Sequence, residues 1–185
     1  MTASPLADPA TLRPLGATPD EARSRLAHEL GRFGAHLPTR QADWTQVQMG
    51  RDWTPAQEAE HVILVNGLTA GVLRLLTSDK PLRAGAQVPG ELQGGKRLAP
   101  QGTEPSAGGQ PWAGLDAAWA RSAEGLTAAA AGVTDHAERR FWHPFFGEIS
   151  ALDWLRMVVF HVRNHRQLLE ASAGGPGAGK QESRP

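Results

Sequence analysis

The sequence predicts an all-α protein, a four-helix bundle flanked by tails. Three observations predict it. Four stretches place apolar residues at helical spacing behind capping signals. No segment alternates as a half-buried strand does, and one connection is far longer than a tight turn needs.

Residues 1–17 are Pro/Ala-rich and aperiodic and read as a flexible N-terminal arm. Helix one opens at Thr18-Pro19-Asp20-Glu21. Thr18 can cap, Pro19 fits the first helical position and Glu21 completes a capping box. Its stripe is Ala22, Leu26, Leu30, Phe33 and Leu37, and Pro38 ends it. Helix two opens in the same way at Thr54-Pro55-Ala56-Gln57 and carries Val65, Leu68, Val72 and Leu75 inward as far as Thr77. Helix three is expected from Pro111 to Ala131, with Trp112, Leu115, Trp119, Leu126 and Ala129 inward and Gly132 as its stop. Helix four starts at Ser150, where Asp153 supplies a variant capping box and Ile149 with Trp154 a hydrophobic staple. It runs to Ala171, short of Gly174-Gly175-Pro176. The bundle therefore spans residues 18–171, and residues 172–185 read as a disordered Gly-rich tail.

The stretch Pro81–Gln110 is Gly/Pro-rich and about 30 residues long, against about 2–8 for a tight helix–helix connection. It is long enough to cross the bundle and let helices two and three run parallel.

Composition removes several function classes. The chain has 185 residues with Lys+Arg 19 against Asp+Glu 19, so it lacks the basic excess with which proteins neutralise phosphates, and no nucleic-acid partner is expected. Cys and Tyr are both 0, which excludes disulfides, thiolate metal ligands, cysteine nucleophiles and phenolic acid–base chemistry. No signal peptide and no long apolar run is read, so the expectation is a cytoplasmic protein with no membrane partner.

The sharpest local feature is His161-Val162-Arg163-Asn164-His165. Two His at i and i+4 share one helix face, about 6 Å apart, close enough for both rings to reach one ion. They fall on the stripe Trp154, Val158, His161, His165 and Leu168, and so face the interior, where two unpartnered rings would be costly. The competing reading is two separately hydrogen-bonded core histidines. His61 lies on the inward stripe of helix two and can close a site opened by that pair, since packed helices have axes about 8–10 Å apart. Of the other four His, His28 and His36 read as solvated and His136 as part of a polar loop. His143, before Pro144, reads as a turn residue or part of a pocket rim. Three imidazoles leave a coordination position open, the catalytic rather than the structural pattern. Glu58, one turn before His61, reads as an outer partner or extra ligand of this group, or as a first-turn carboxylate favoured by the helix dipole. Glu60 points away.

At these residues the chain resembles a known family. Gly50-Arg51-Asp52-Trp53-Thr54-Pro55 leading to His61 is similar to the helix-two entry of the DinB-like (damage-inducible) metal-binding bundles. His143-Pro144-Phe145-Phe146-Gly147 leading into a helix with Trp154, His161 and His165 resembles its second signature. The resemblance implies an up-down-down-up bundle, one divalent metal ion on His61, His161 and His165, and a homodimer. It also implies a small-molecule substrate and thiol-dependent transferase or hydrolase chemistry. A low-molecular-weight thiol cosubstrate would bring the sulfur that this chain lacks, and a metal ion ionises a coordinated thiol. Imidazole ligands suit several ions, with zinc and nickel leading. The alternative is a non-catalytic, metal-stabilised or small-molecule-binding bundle.

Two motif resemblances fail. Glu58-Ala59-Glu60-His61 contains Glu-x-x-His, but a dinuclear carboxylate site needs a second such motif and two further Glu. Gly90–Lys96 and Gly174–Lys180 match a phosphate-loop spacing, yet Arg97 and Gln181 stand where Ser or Thr is required.

Overall fold

A computed structural model describes residues 5–48, 50–83, 87–135 and 138–173. Four long helices form the bundle: α1 Pro19–His36, α2 Pro55–Leu76, α3 Leu115–Ala131 and α4 Ala151–Ser172. Two antiparallel hairpins join them, β1 Leu92–Gln93 with β2 Lys96–Arg97 and β3 Arg140–His143 with β4 Gly147–Ser150.

The caps are built largely as the residues dictate. Thr54 accepts from the Gln57 amide at 3.2 Å while the Gln57 side chain accepts from the Thr54 amide at 3.0 Å, a complete capping box. Thr18 accepts from the Glu21 amide, but Glu21 reaches one residue further back, to the amide of Ala17 at 2.8 Å. Ser150 accepts from the Asp153 amide and donates to its carboxylate.

Side-chain pairs fix the direction of each helix. Arg156 near the start of α4 donates to the carbonyls of Gly16 and Ala17, just before α1, and Arg166 near its end holds Glu29 late in α1, so these helices run parallel. Arg23, early in α1, reaches the carbonyls of Ala130 and Val133 at the end of α3, so that pair is antiparallel. Asn66 meets Ser122 midway along α2 and α3, and Thr77 lies beside Gly132 at their shared end. The order is up-down-down-up. Leu26, Phe33, Val62, Leu73, Leu126, Leu155 and Val158 fill the centre. Trp119 stacks on Phe33 at 4.9 Å and reaches the backbone of α1 only because Gly34 has no side chain; a Cβ there would lie 2.5 Å from the indole nitrogen.

Four expectations need correction. Helix three begins at Leu115, not Pro111, because Gly114 takes a left-handed φ of 84° and breaks the helix before it. Trp112 stays outside α3 and packs edge-on against Trp44. Leu68, expected inward, is 44% exposed on the side of α2 that borders a pocket. Residues 9–15 are not a loose arm. Asp8 caps a 3-10 helix whose Leu12 and Leu15 are buried in the core, because two apolar anchors three residues apart outweigh the proline content.

The fourth correction concerns strands, which were not expected. β3 and β4 pair with His143 opposite Gly147 and Arg140 opposite Ser150, and deliver the chain directly to the Ser150 cap. β1 and β2 turn through Gly94 and Gly95 at φ 57° and 79°, a two-glycine turn whose positive φ values suit the twist of paired strands. That turn is what the Gly90–Lys96 spacing encodes. The Gly-rich tail from residue 174, with Gly174–Lys180, and His136 lie outside the described residues.

By length and composition α2 alone among the described helices could cross a bilayer, with a mean hydropathy of 1.3 over its best 18 residues. Its apolar character is that of a core helix, since Ala56, Ala59, Val62, Ala70 and Leu73 are almost completely buried in the bundle.

Candidate metal centre

Two local structures place the side chains. The Thr54 capping box fixes the first turn of α2, so Glu58 and His61, three residues apart, rise on the face turned to α4. On α4, which runs antiparallel to α2, His161 and His165 lie one turn apart, with ring centroids 4.4 Å from each other. The His61 ring is 4.9 Å from both. One nitrogen from each of the three rings lies within 4.8 Å of the others. The structure thus brings together the three histidines singled out in the sequence.

Hydrogen bonds settle which nitrogens remain free. The Nδ1–H of His61 donates to the Thr103 carbonyl at 2.6 Å, which leaves a lone pair on Nε2. The Nδ1–H of His165 donates to Glu58, which likewise leaves its Nε2 lone pair unclaimed among the described residues. Nε2 of His161 lies 2.9 Å from Nε2 of His61. Two ligands held at about 2.0–2.1 Å on one ion sit about 2.9–3.4 Å apart, so this spacing is that of neighbouring donors. Nδ1 of His161 is buried with no protein partner. A divalent cation fits this donor set.

The surroundings favour neutral rings. Burial, reinforced by the His165 charge, pushes His61 down to about 4. Burial first, then the Arg51 charge, pushes His165 down to about 3. Burial and the two neighbouring rings push His161 well below its ordinary value. All three are therefore unprotonated near pH 7, the state that ligates metal.

Glu58 is 1% exposed and accepts from both His165 and Arg51, so it positions a ring and is itself neutralised. Trp53, just before the cap, lies against His61 at 4.9 Å and parallel to His165 at 6.4 Å. Glu60 points away and accepts from the amide and hydroxyl of Ser106. His143 stays outside the three-histidine group. Its Nδ1 accepts from the amides of Phe145 and Phe146 and its ring packs edge-on against Trp154, so it is both turn residue and pocket lining.

Above the histidines lies a cavity of about 560 Å³ between α2 and α4, with the β1–β2 hairpin and residues 98–100 at its mouth. Sequence reasoning missed two participants. Thr103 is separated from His61 by 42 positions and belongs to no motif, so no local signal marks it. Arg51 sits inside the quoted helix-two entry, seven residues before its partner Glu58, and could have been found there.

Comparisons with known proteins agree with this architecture. A family model described as the DinB superfamily matches residues 15–169. The crystal structure of TT2238, a four-helix bundle protein, is similar with 31% identity and a TM-score of 0.58, over 84% of this chain and 100% of that one. No curated protein matches.

Proposed function

This chain belongs to the DinB superfamily, and on that premise we propose that His61, His161 and His165 hold one divalent metal ion at the floor of a small-molecule pocket. The protein is then a metal-dependent enzyme, a thiol-dependent S-transferase or a hydrolase. One observation carries the reading. Three neutral imidazoles converge beneath an open cavity, and no fourth protein ligand joins them among the described residues. Glu58, the carboxylate hydrogen-bonded to this group, is already engaged by His165 and Arg51, which disfavours the closed site of a purely structural ion.

Zinc or nickel is the expected ion, and when bound it supplies Lewis acidity and lowers the pKa of a thiol or water beside it. The chain's own residues do the rest. The Thr103 carbonyl and the Glu58 carboxylate hold the Nδ1 protons of His61 and His165, which leaves Nε2 of each ring as the nitrogen available to an ion. Arg51 holds the other oxygen of the Glu58 carboxylate and so aims it. Trp53 and the apolar walls shield the rings from bulk water.

Metal analysis of the purified protein tests the site. About one equivalent is expected in the wild type, and equal content in His165→Ala would remove His165 as a ligand. Conjugation of a model electrophile across a panel of small thiols, with and without chelator, tests the reaction. Chelator-sensitive turnover with at least one thiol is expected for the transferase.

A further inference from the structure

The cavity walls are mainly apolar, formed by Val65, Leu68, Leu98, Met157, Phe160 and Leu168. Three cationic side chains reach the cavity, and their situations differ. Arg51 is paired with Glu58. Lys96 is paired with Asp52 at 2.8 Å. Arg97 has no carboxylate within ion-pair distance among the described residues. Its guanidinium lies over the rings of Phe145 and Phe146, at 5.2 and 5.0 Å from their centroids, which holds its orientation at the cavity mouth. The two-glycine turn between β1 and β2 fixes the strand that carries it. The charge also acts inward. After burial, Arg97 is the second cause that holds His143, a cavity residue, down to about 3. The lining therefore presents one unpaired, oriented cation above apolar walls.

We propose that Arg97 is a specificity-determining residue: it binds an oxyanion, a carboxylate in the first instance, on a small molecule whose apolar body fills the cavity below. A guanidinium fork matches a carboxylate in shape as well as charge. A ligand of this class satisfies the cation and the apolar walls together. The proposal deepens the small-molecule reading of this pocket and rests on it, but it does not require the metal.

Calorimetric titration with phenylhexanoate and phenylhexanol, which share an apolar body and differ in charge, provides the test. The wild type is expected to bind the acid about tenfold more tightly than the alcohol. Arg97→Gln brings the ratio to about one, chiefly by weakening the acid. Arg97→Lys keeps part of the preference, because charge survives without the fork. Removing metal with a chelator leaves the wild-type ratio in place. Equal binding of the two probes, or no binding of either, overturns the proposal. So does a preference that survives Arg97→Gln or disappears with chelation, which would place the carboxylate on the ion. A separate zinc titration against a chromophoric chelator reports on the metal reading alone. Lack of zinc uptake with the acid preference intact removes the ion and leaves Arg97 in its role.

Discussion

Two regions of this bundle bury charged or titratable groups, and they do so differently. Between α1 and the end of α4, Arg40 is 1% exposed and every arm of its guanidinium is occupied, by Asp43, the Leu169 carbonyl and Ser172. Beside it Arg166 joins Glu29 to Glu170, which also holds Arg32. The charged groups there close on one another, and Nε2 of His36, near Glu170, is the polar atom left buried without a partner among the described residues. Around His61, His161 and His165 the outer nitrogens of two rings are satisfied by the protein, while the inner Nε2 atoms of His61 and His161 meet only each other and Nδ1 of His161 has no partner. Burying polar groups costs stability unless they are paired. The charged groups of the first region meet that requirement within the protein, and the second offers its free nitrogens to an ion.

Substitutions sharpen this contrast. The largest effect is expected from His161→Ala combined with His165→Ala, which abolishes metal uptake. It also removes the metal-dependent stabilisation, about 4 kcal/mol at a metal concentration a thousandfold above Kd. Metal analysis and thermal melts with and without zinc would show both losses. Arg40→Ala is the converse. It leaves Asp43 and the carbonyl of Leu169 without their partner and costs about 3–5 kcal/mol of folding stability. Metal stoichiometry stays unchanged, so denaturant unfolding and metal content should separate. If Arg40→Ala lost the ion as well, the two regions would not be independent.

A smaller change tests the outer partner. Glu58→Gln keeps the shape and removes the charge that anchors the His165 proton, and metal affinity should fall about 10- to 100-fold. Competition with a chromophoric chelator measures it. The gentlest perturbation is acid. His61 titrates near 6.5 when unfolded and near 4 when folded, so the unfolded chain binds more protons as pH falls below about 6.5. His161 and His165 are shifted in the same direction. Metal-free protein therefore holds its full stability above that pH and loses it progressively below, by under about 1 kcal/mol per histidine between pH 7 and 6. Unfolding at stepped pH in chelator tests the slope, and a flat profile would contradict the neutral, buried state of these rings.

How much of this could be read from the sequence depended on whether a residue's partner was near in the chain. Thr54 with Gln57 and Ser150 with Asp153 cap helices across three positions, and those starts were legible. His161 and His165 declare a common face by spacing alone, and the stripe of α2 adds His61. The start of α3 was not legible, because Pro111 resembles a first-turn proline while the left-handed Gly114 three residues later overrides it. The β3–β4 hairpin is hidden by its length, four residues a side, and His143-Pro144 between them reads as a turn or part of a pocket rim without declaring the strands. The Gly94-Gly95 dipeptide is a turn signal in its own right, but it lies inside a stretch that also matches a phosphate-loop spacing. Thr103 lay out of reach, since its role depends on where the longest connection comes to rest.

That connection is fastened at several points: Gln110 donates to the Ala56 carbonyl, Gly109 packs where a Cβ would lie 2.4 Å from the Ala56 backbone, and the Thr103 carbonyl accepts from the Nδ1–H of His61. Helix pairing alone can bring the three rings close, but the His61 ring is not oriented until the loop after α2 has closed. Loop closure over that span is entropically costly and follows the local events of helix growth. During refolding, tight zinc capture should lag the gain of helical signal, which makes the ion a clock for the last stage of assembly.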